Sequence, residues 1–362
     1  MMSGARLNGG CNQPPFRLVG WVASLQGRVG GGDPGWCTSM GAREWALNQG
    51  FGMYSFSTCW NSGRHQDGRK MLEEIRDLGF GHAELSHGIR LSLVPGILEA
   101  VEAGVIRIST LHNFCPLPVG VNHAAPNLFK FSSPDRRERE NAFRHTLKTL
   151  ELAQRVHARL VVLHTGEADL GGLFGTPDYM GKLEAMAEKG QQDSPKYAKL
   201  LAEIEKRRED RKAPALEAAT EAIRRIADEA AKRGLLLGIE NREAVEEIPF
   251  DHDLPFFFDS FPDNVRYWHD CGHAQIKENL GLMAGHVLHL ETMEPHLAGF
   301  HVHDVVPPAT DHRPPGSGCI DFKALAPFVR PDHIKVFELS PGMPKDEVLK
   351  GVEFIRSAWG PE

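Results

Sequence analysis

One pattern recurs along the second half of the chain and limits what it can fold into: a short apolar run that stops at a Glu, Asp or His. Leu235-Leu-Leu-Gly-Ile-Glu240 is the first of these, and Trp268-His269-Asp270-Cys271-Gly272-His273 holds the second. Ala298-Gly-Phe-His301-Val302-His303-Asp304 and Ile334-Lys-Val-Phe-Glu338-Leu339 follow. Each reads as a β-strand with a turn or loop directly behind it. From Glu240 the steps are 30 residues to Asp270, 31 to His301 and 37 to Glu338. A (β/α)8 barrel of roughly 250 residues advances about 31 residues per strand–helix unit. The spacing therefore predicts an α/β protein of the (β/α)8 TIM-barrel class. Strand ends on one face of such a barrel converge, which brings two Glu carboxylates, an Asp and an imidazole around a point, as a metal site requires.

The first half supplies the remaining units. Phe51–Phe56 is expected as the first strand, followed by an amphipathic helix over Asp67–Leu78 that Gly79 terminates. Gly81–Leu85 reads as a strand, and the helix around Leu93–Ala103 is closed by Gly104. Val105–Asn113 forms the third strand and runs into Cys115-Pro-Leu-Pro118. A helix from about Pro134 to Val156 shows the 3.6-residue period in Phe143, Leu147, Leu150 and Val156. Leu160–His164 is the fourth strand. Glu240 follows His164 by 76 residues, well beyond one unit. A helical insertion after strand four, about 167–214, is therefore expected, with a charged run from Lys182 to Lys212. It is either a solvated excursion or a lid over the strand-end face. Ala215–Arg233 is read as the regular outer helix, and Phe322–Phe328 and Pro344–Trp359 as the last two.

A single domain over 51–362 accommodates all of this. Residues 1–50 hold eleven glycines and three of the six tryptophans without a sustained period. They are an N-terminal extension or an over-called start, with Met40 or Met53 able to open the barrel. Leu18–Leu25 is broken by Gly20 and lacks the cleavage pattern of a signal peptide. No run of 18 apolar residues suggests a membrane span. A formal charge of −7 argues against a nucleic-acid partner held by phosphate contacts. The six cysteines form no CxxC, as expected of reduced thiols in a cytoplasmic protein.

A lone His or Glu at a strand end is more often a structural residue than a ligand, but four in register are a different matter. An unpaired carboxylate closing an apolar strand, as at Glu240 or Glu338, carries a large desolvation cost that a divalent cation removes. Asp270 and His273 both face the opening if the strand ends at the Gly272 turn. His301 and His303 share one strand face, being two apart. Only one of them need bind, the other standing behind it or facing substrate.

These pieces, together with Asp311-His312-Arg313-Pro-Pro-Gly-Ser-Gly318 and Ile320-Asp-Phe322, resemble the xylose-isomerase-like TIM-barrel superfamily over residues 51–358. That group includes sugar (phosphate) isomerases and epimerases and endonuclease IV-type enzymes. The resemblance implies one divalent metal held by Glu240, Asp270, His301 and Glu338, with His273 for substrate oxygens or a further metal. His301 is preferred to His303 because the family places its ligand three residues before an Asp, here Asp304. Imidazole with carboxylate suits Zn, Mn, Co or Fe alike.

The chemistry so implied is isomerisation or epimerisation of a sugar or sugar phosphate. A ketose chelates the ion, the ion polarises the carbonyl and stabilises the enediolate, and Glu240 and Glu338 exchange the proton. The partner expected is a small carbohydrate, and a homo-oligomer is compatible with it. Two alternatives use the same residues. One is phosphodiester hydrolysis at a multi-zinc site of the endonuclease IV kind, where His112, His164 and His273 match additional histidines. There the adjacent Asp311-His312 stands in place of an Asp-x-His pair, with Arg313 in the third position. The other is a metal-dependent lyase or dehydratase acting on a sugar-derived substrate.

Overall fold

The computed structural model describes residues 53–172 and 175–361. The expected N-terminal extension, residues 1–50, and the expected start of the first strand at Phe51 lie outside the described residues. Seven strands come first: Tyr54–Ser57 (β1), His82–Leu85 (β2), Arg107–His112 (β3), Leu160–Leu163 (β4), Leu236–Glu240 (β5), Val265–Asp270 (β6) and Leu297–Val302 (β7). A hairpin of Asp304–Val306 (β8) and Thr310–Arg313 (β9) then precedes Ile334–Phe337 (β10). Strands β1 to β7 and β10 close in that order into a parallel barrel, with β10 pairing back to β1. The hairpin stands outside it as a separate antiparallel pair.

Helices fill the intervals: Gly68–Arg76 (α1), Val94–Glu102 (α2), Arg136–Arg155 (α3), Tyr179–Ala187 (α4), Pro195–Ala231 (α5), Leu254–Phe258 (α6), Cys271–Asn279 (α7), His286–Met293 (α8), Phe322–Leu325 (α9) and Lys345–Trp359 (α10). The chain marks their starts chemically. Asp67 accepts from the Arg69 and Lys70 amides, Asp135 from Arg137 and Ser194 from Tyr197, satisfying N–H groups that a helix start leaves free. Gly104 and Gly234, both at positive φ, close α2 and α5.

The insertion after β4 differs from expectation in one respect. The charged run and the outer helix form one helix of 37 residues, α5, continuous through Pro214. A proline removes one intrahelical hydrogen bond, but packing holds both halves. Ala219, Ile223 and Ile226 are buried on one side of it and Tyr197, Ile204 and Arg208 on the other. The first half is no free excursion. Tyr197 donates to the Leu280 carbonyl at 2.8 Å, Arg207 to the Leu170 and Gly171 carbonyls, and Lys212 to Asp253 at 2.7 Å. These acceptors belong to the segments that follow β4, β5 and α7, on the strand-end side of the barrel.

Side chains alternate along each strand, so every second residue enters the barrel. Trp268 from β6 fills the interior with Leu160, Val162, Ile334 and Val336, all buried. Two glycines make room for it. A Cβ on Gly299 would lie 2.4 Å from the Ile334 carbonyl oxygen and 2.5 Å from the Trp268 ring, and one on Gly238 would lie 3.2 Å from the Trp268 Cβ. The indole is thus a floor on which the strand-end residues stand. Gly299→Ala should destabilise the protein by about 1–3 kcal/mol, read as a lowered urea midpoint, because neither backbone carbonyl nor indole has anywhere to move.

Candidate metal centre at the barrel mouth

The barrel brings its predicted residues to one point. Glu240 ends β5, Asp270 ends β6, His301 lies on β7 and Glu338 directly follows β10. Register sets them level: Asp270 is opposite His301, and His301 opposite Val336, two residues before Glu338. All four are buried. One ligand-type atom from each falls within 4.8 Å of the others.

His301 is the hub. Its Nδ1 is 2.8 Å from Glu240 Oε1, 3.1 Å from Glu338 Oε2 and 3.6 Å from Asp270 Oδ2. Its Nε2 is 3.2 Å from Oε2 of Glu84, a β2 residue buried completely. His303, two residues on, does not join this group. Its Nε2 meets Asp270 Oδ2 at 3.0 Å and its ring stacks on His312 with centroids 4.2 Å apart.

Two further groups flank the first. His112 and His164, from the ends of β3 and β4, point Nε2 at Glu240 Oε2, at 3.3 and 2.7 Å. On the other side His273, Asp311 and His312 also bring ligand-type atoms within 4.8 Å of one another. Adjacent strand residues normally face opposite ways, but His312 has φ 52°, which turns its ring to the side of Asp311. Its Nδ1 donates to the Glu338 carbonyl at 3.0 Å. Arg313 enters none of these groups.

A model of the xylose isomerase-like TIM barrel matches residues 72–358. The chain belongs to that family. Comparison with curated protein sequences gives no match. Among solved structures, a D-tagatose 3-epimerase-like protein is similar at TM-score 0.60 and 15% identity, with 84% of this chain and 96% of that one covered. The 3-keto-D-glucoside 4-epimerase YcjR from E. coli gives 0.57 and 13%, covering 84% and 99%. D-psicose 3-epimerase from Clostridium cellulolyticum H10 gives 0.58 and 14%, covering 85% and 100%. At such identities the likeness is one of fold.

Within this xylose isomerase-like barrel the side chains at the mouth fit a cation. Four carboxylates, from Glu84, Glu240, Asp270 and Glu338, surround one imidazole out of water. Burial alone would lower the His301 pKa, yet Glu338, Glu84 and Glu240 hold it well above its ordinary value. The site calls for positive charge. Glu84 accepts from Thr110 at 2.9 Å through Oε2, while its buried Oε1 finds no hydrogen-bond partner among the described residues. The histidine tautomers agree. His112 Nδ1 must donate to the Asn113 carbonyl, at 2.9 Å, and His164 Nδ1 lies 2.7 Å from Asn127 Oδ1. Burial, reinforced by Arg242, pushes His164 down to about 3, so it is neutral. Its Nε2 lone pair then faces the Glu240 carboxylate, an arrangement that a cation between them relieves.

Other shifts follow from position. His273 is likewise pushed down to about 3, by burial and then by the field of Arg242. Burial would lower His303 also, but Asp270 raises it to about 9. Glu243, carried up mainly by burial, stands at about 7.

Glu84, Asn127, Arg242 and Glu243 went unassigned from sequence. Arg242 lies within 3.2 Å of both His273 ring nitrogens and pairs with Glu247 at 3.0 Å. The signal for Glu84 existed: it interrupts the strand Ala83-Glu84-Leu85 as Glu240 closes its own.

The loops that complete the mouth are tied by close approach and by one carboxylate. A Cβ on Gly272 would lie 2.0 Å from the His303 ring, so only glycine lets that ring lie against the start of α7. Asp304 accepts from the amides of Val305, Gly316, Gly318 and Ile320, at 2.8 to 3.1 Å. It organises the turn after β9 and holds the Asp311-His312 hairpin. Asp304→Ala should cost about 3 kcal/mol, since four amides, those of Val305 and Ile320 buried, lose a charged acceptor. Hydrogen exchange at the Gly316, Gly318 and Ile320 amides should accelerate with it.

Proposed function

We propose that the protein is a divalent-metal-dependent isomerase or epimerase of a sugar or sugar phosphate. The observation that carries the reading is the pair Glu240 and Glu338 meeting the same His301 nitrogen from β5 and β10, with Asp270 completing a buried mixed set. Glu240, Asp270, His301 and Glu338 would hold the ion, which is Zn, Mn, Co or Fe by the donor set. When bound, it supplies Lewis acidity toward a carbonyl and its neighbouring hydroxyl.

The rest is done by the chain. One of the two carboxylates takes the proton from the carbon beside the carbonyl, and the other returns it, on the opposite face for epimerisation or to the neighbouring carbon for a 1,2-shift. Glu240 is fixed at Oε1 by His301. His303, His312 and His273 stand where substrate hydroxyls would be oriented, and the Trp268 floor keeps water from below. The structurally similar sugar epimerases support a carbohydrate as substrate. No described helix is long and apolar enough to cross a membrane. Cys59, Cys115, Cys271 and Cys319 are free thiols, in keeping with a cytoplasmic location.

A second reading, phosphodiester hydrolysis, is favoured by the two flanking groups, His112–His164–Glu240 and His273–Asp311–His312, which would hold further ions. The two readings differ in their metal count. Under single-ion epimerisation, His112→Ala and His312→Ala leave metal content unchanged; under the multinuclear reading each lowers it by about one ion per chain, as mass spectrometry of purified protein would record.

Activity gives the direct test. Solvent deuterium should enter the carbon beside the carbonyl of a ketose substrate. Glu240→Gln and Glu338→Gln should each lower kcat by about 10²-fold or more with circular dichroism unchanged. Full activity in either variant, or no exchange across a ketose panel, would overturn the proton-shuttle assignment.

A further inference from the structure

The motif at residues 268–273 contains two residues that the mouth does not use. On β6, Asp270 and Trp268 point into the barrel, so Tyr267 and His269 point outward, toward the helical layer. There His269 Nε2 faces His286 Nε2 of α8 at 2.6 Å. Cys271, at the start of α7, brings its Sγ within 4.8 Å of one ring nitrogen of each imidazole, and all three side chains are buried. The hydroxyl of Tyr267 lies 2.7 Å from His269 Nδ1 and 2.8 Å from His289 Nε2.

We infer that His269, Cys271 and His286 form a second metal site, for a thiophilic ion such as zinc, outside the barrel axis. Three protein ligands of the imidazole and thiolate type are what zinc takes, with a fourth position left to solvent. Tyr267 supplies the outer partner such a histidine needs. Donating its one proton to His289, it accepts from His269 Nδ1–H and leaves Nε2 as the ligating nitrogen. The two Nε2 atoms stand closer than a usual N–H hydrogen bond brings a donor and acceptor nitrogen, and among the described residues no carboxylate pairs with either. A tetrahedral ion with bonds of about 2.0–2.1 Å needs them to part by several tenths of an ångström. His286 can provide this by ring rotation, because it borders a cavity of about 410 Å³ that also touches Gln275, Glu278, Glu291 and Cys319.

The cavity also gives the ion a way in. The site shares no ligand with the mouth, and its thiolate gives it a signature of its own. The competing reading is a hydrogen-bonded clasp, His289–Tyr267–His269–His286, that only ties β6 to α8.

The full-length protein, freed of metal and titrated with Co²⁺ as a surrogate for zinc, decides between them. The expected result is a near-ultraviolet thiolate-to-cobalt charge-transfer band. It should vanish in Cys271→Ser, fall at least several-fold in His286→Gln, and persist in Glu240→Gln and in Cys59→Ser. Should Cys271→Ser fail to fold, His286→Gln carries the test, since it leaves the β6–α7 junction intact. No band in the wild-type protein, a band that survives Cys271→Ser or is undiminished in His286→Gln, or one lost with Glu240→Gln would overturn the site and leave the clasp alone.

Discussion

The mouth of the barrel is built around negative charge that the chain does not neutralise by itself. Four carboxylates approach one imidazole from β2, β5, β6 and β10, all out of contact with water. Taking each of them from solvent costs several kcal/mol, and an imidazolium answers only part of that. A divalent cation answers more of it, which ties affinity for the ion to the stability of the fold. The rest of the architecture serves to hold that charge in place. Strand register puts Asp270 beside His301, Trp268 stops the cluster from sinking into the core, and Gly238 and Gly299 make way for the indole.

Backbone amides do the same work above the mouth. Asp304, one residue past His303, converts a carboxylate into a clamp for the loop behind the hairpin by accepting four amides. The residue that completes the His-x-x-Asp signature is therefore a structural partner of the site. It places His312 over His303 and lets Asp311 turn toward His273. Long α5 closes the same face from the other side through hydrogen bonds to the segments after β4 and α7.

Much of this was legible in the chain because a barrel has a period. The helices ended near the glycines that the sequence offers as stops, and the four strand-end residues gathered as their spacing demanded. What escaped was set by contacts between distant segments or by single backbone angles. Glu84 looks from sequence like any acid in a short strand, and only the pairing of β2 with β3 turns it toward His301. The adjacent Asp311-His312 reads as a broken pair until the φ of His312 brings both to one side. The expected boundary between the insertion and the outer helix, at 214–215, is overridden by packing on both halves of α5. The hairpin β8–β9 and the short helices α6 and α8 carry too little periodicity to be seen, although α8 contributes His286.

One carboxylate links the chemistry to the number of ions. Glu240 offers Oε1 to the His301 side of the cluster and Oε2 to His112 and His164. With a single ion in the central group, Oε2 would stay turned to the His112 and His164 side and could exchange a proton with substrate. A second ion held by Glu240, His112 and His164 would take that oxygen as a ligand and lower its basicity. Proton transfer through Glu240 would then be weakened, and the chemistry supplied there would be activation of water. The epimerase and hydrolase readings proposed above therefore differ in the use they make of one carboxylate. On either reading the choice would rest on Glu240, by whether the space beside His112 and His164 takes a substrate or another ion.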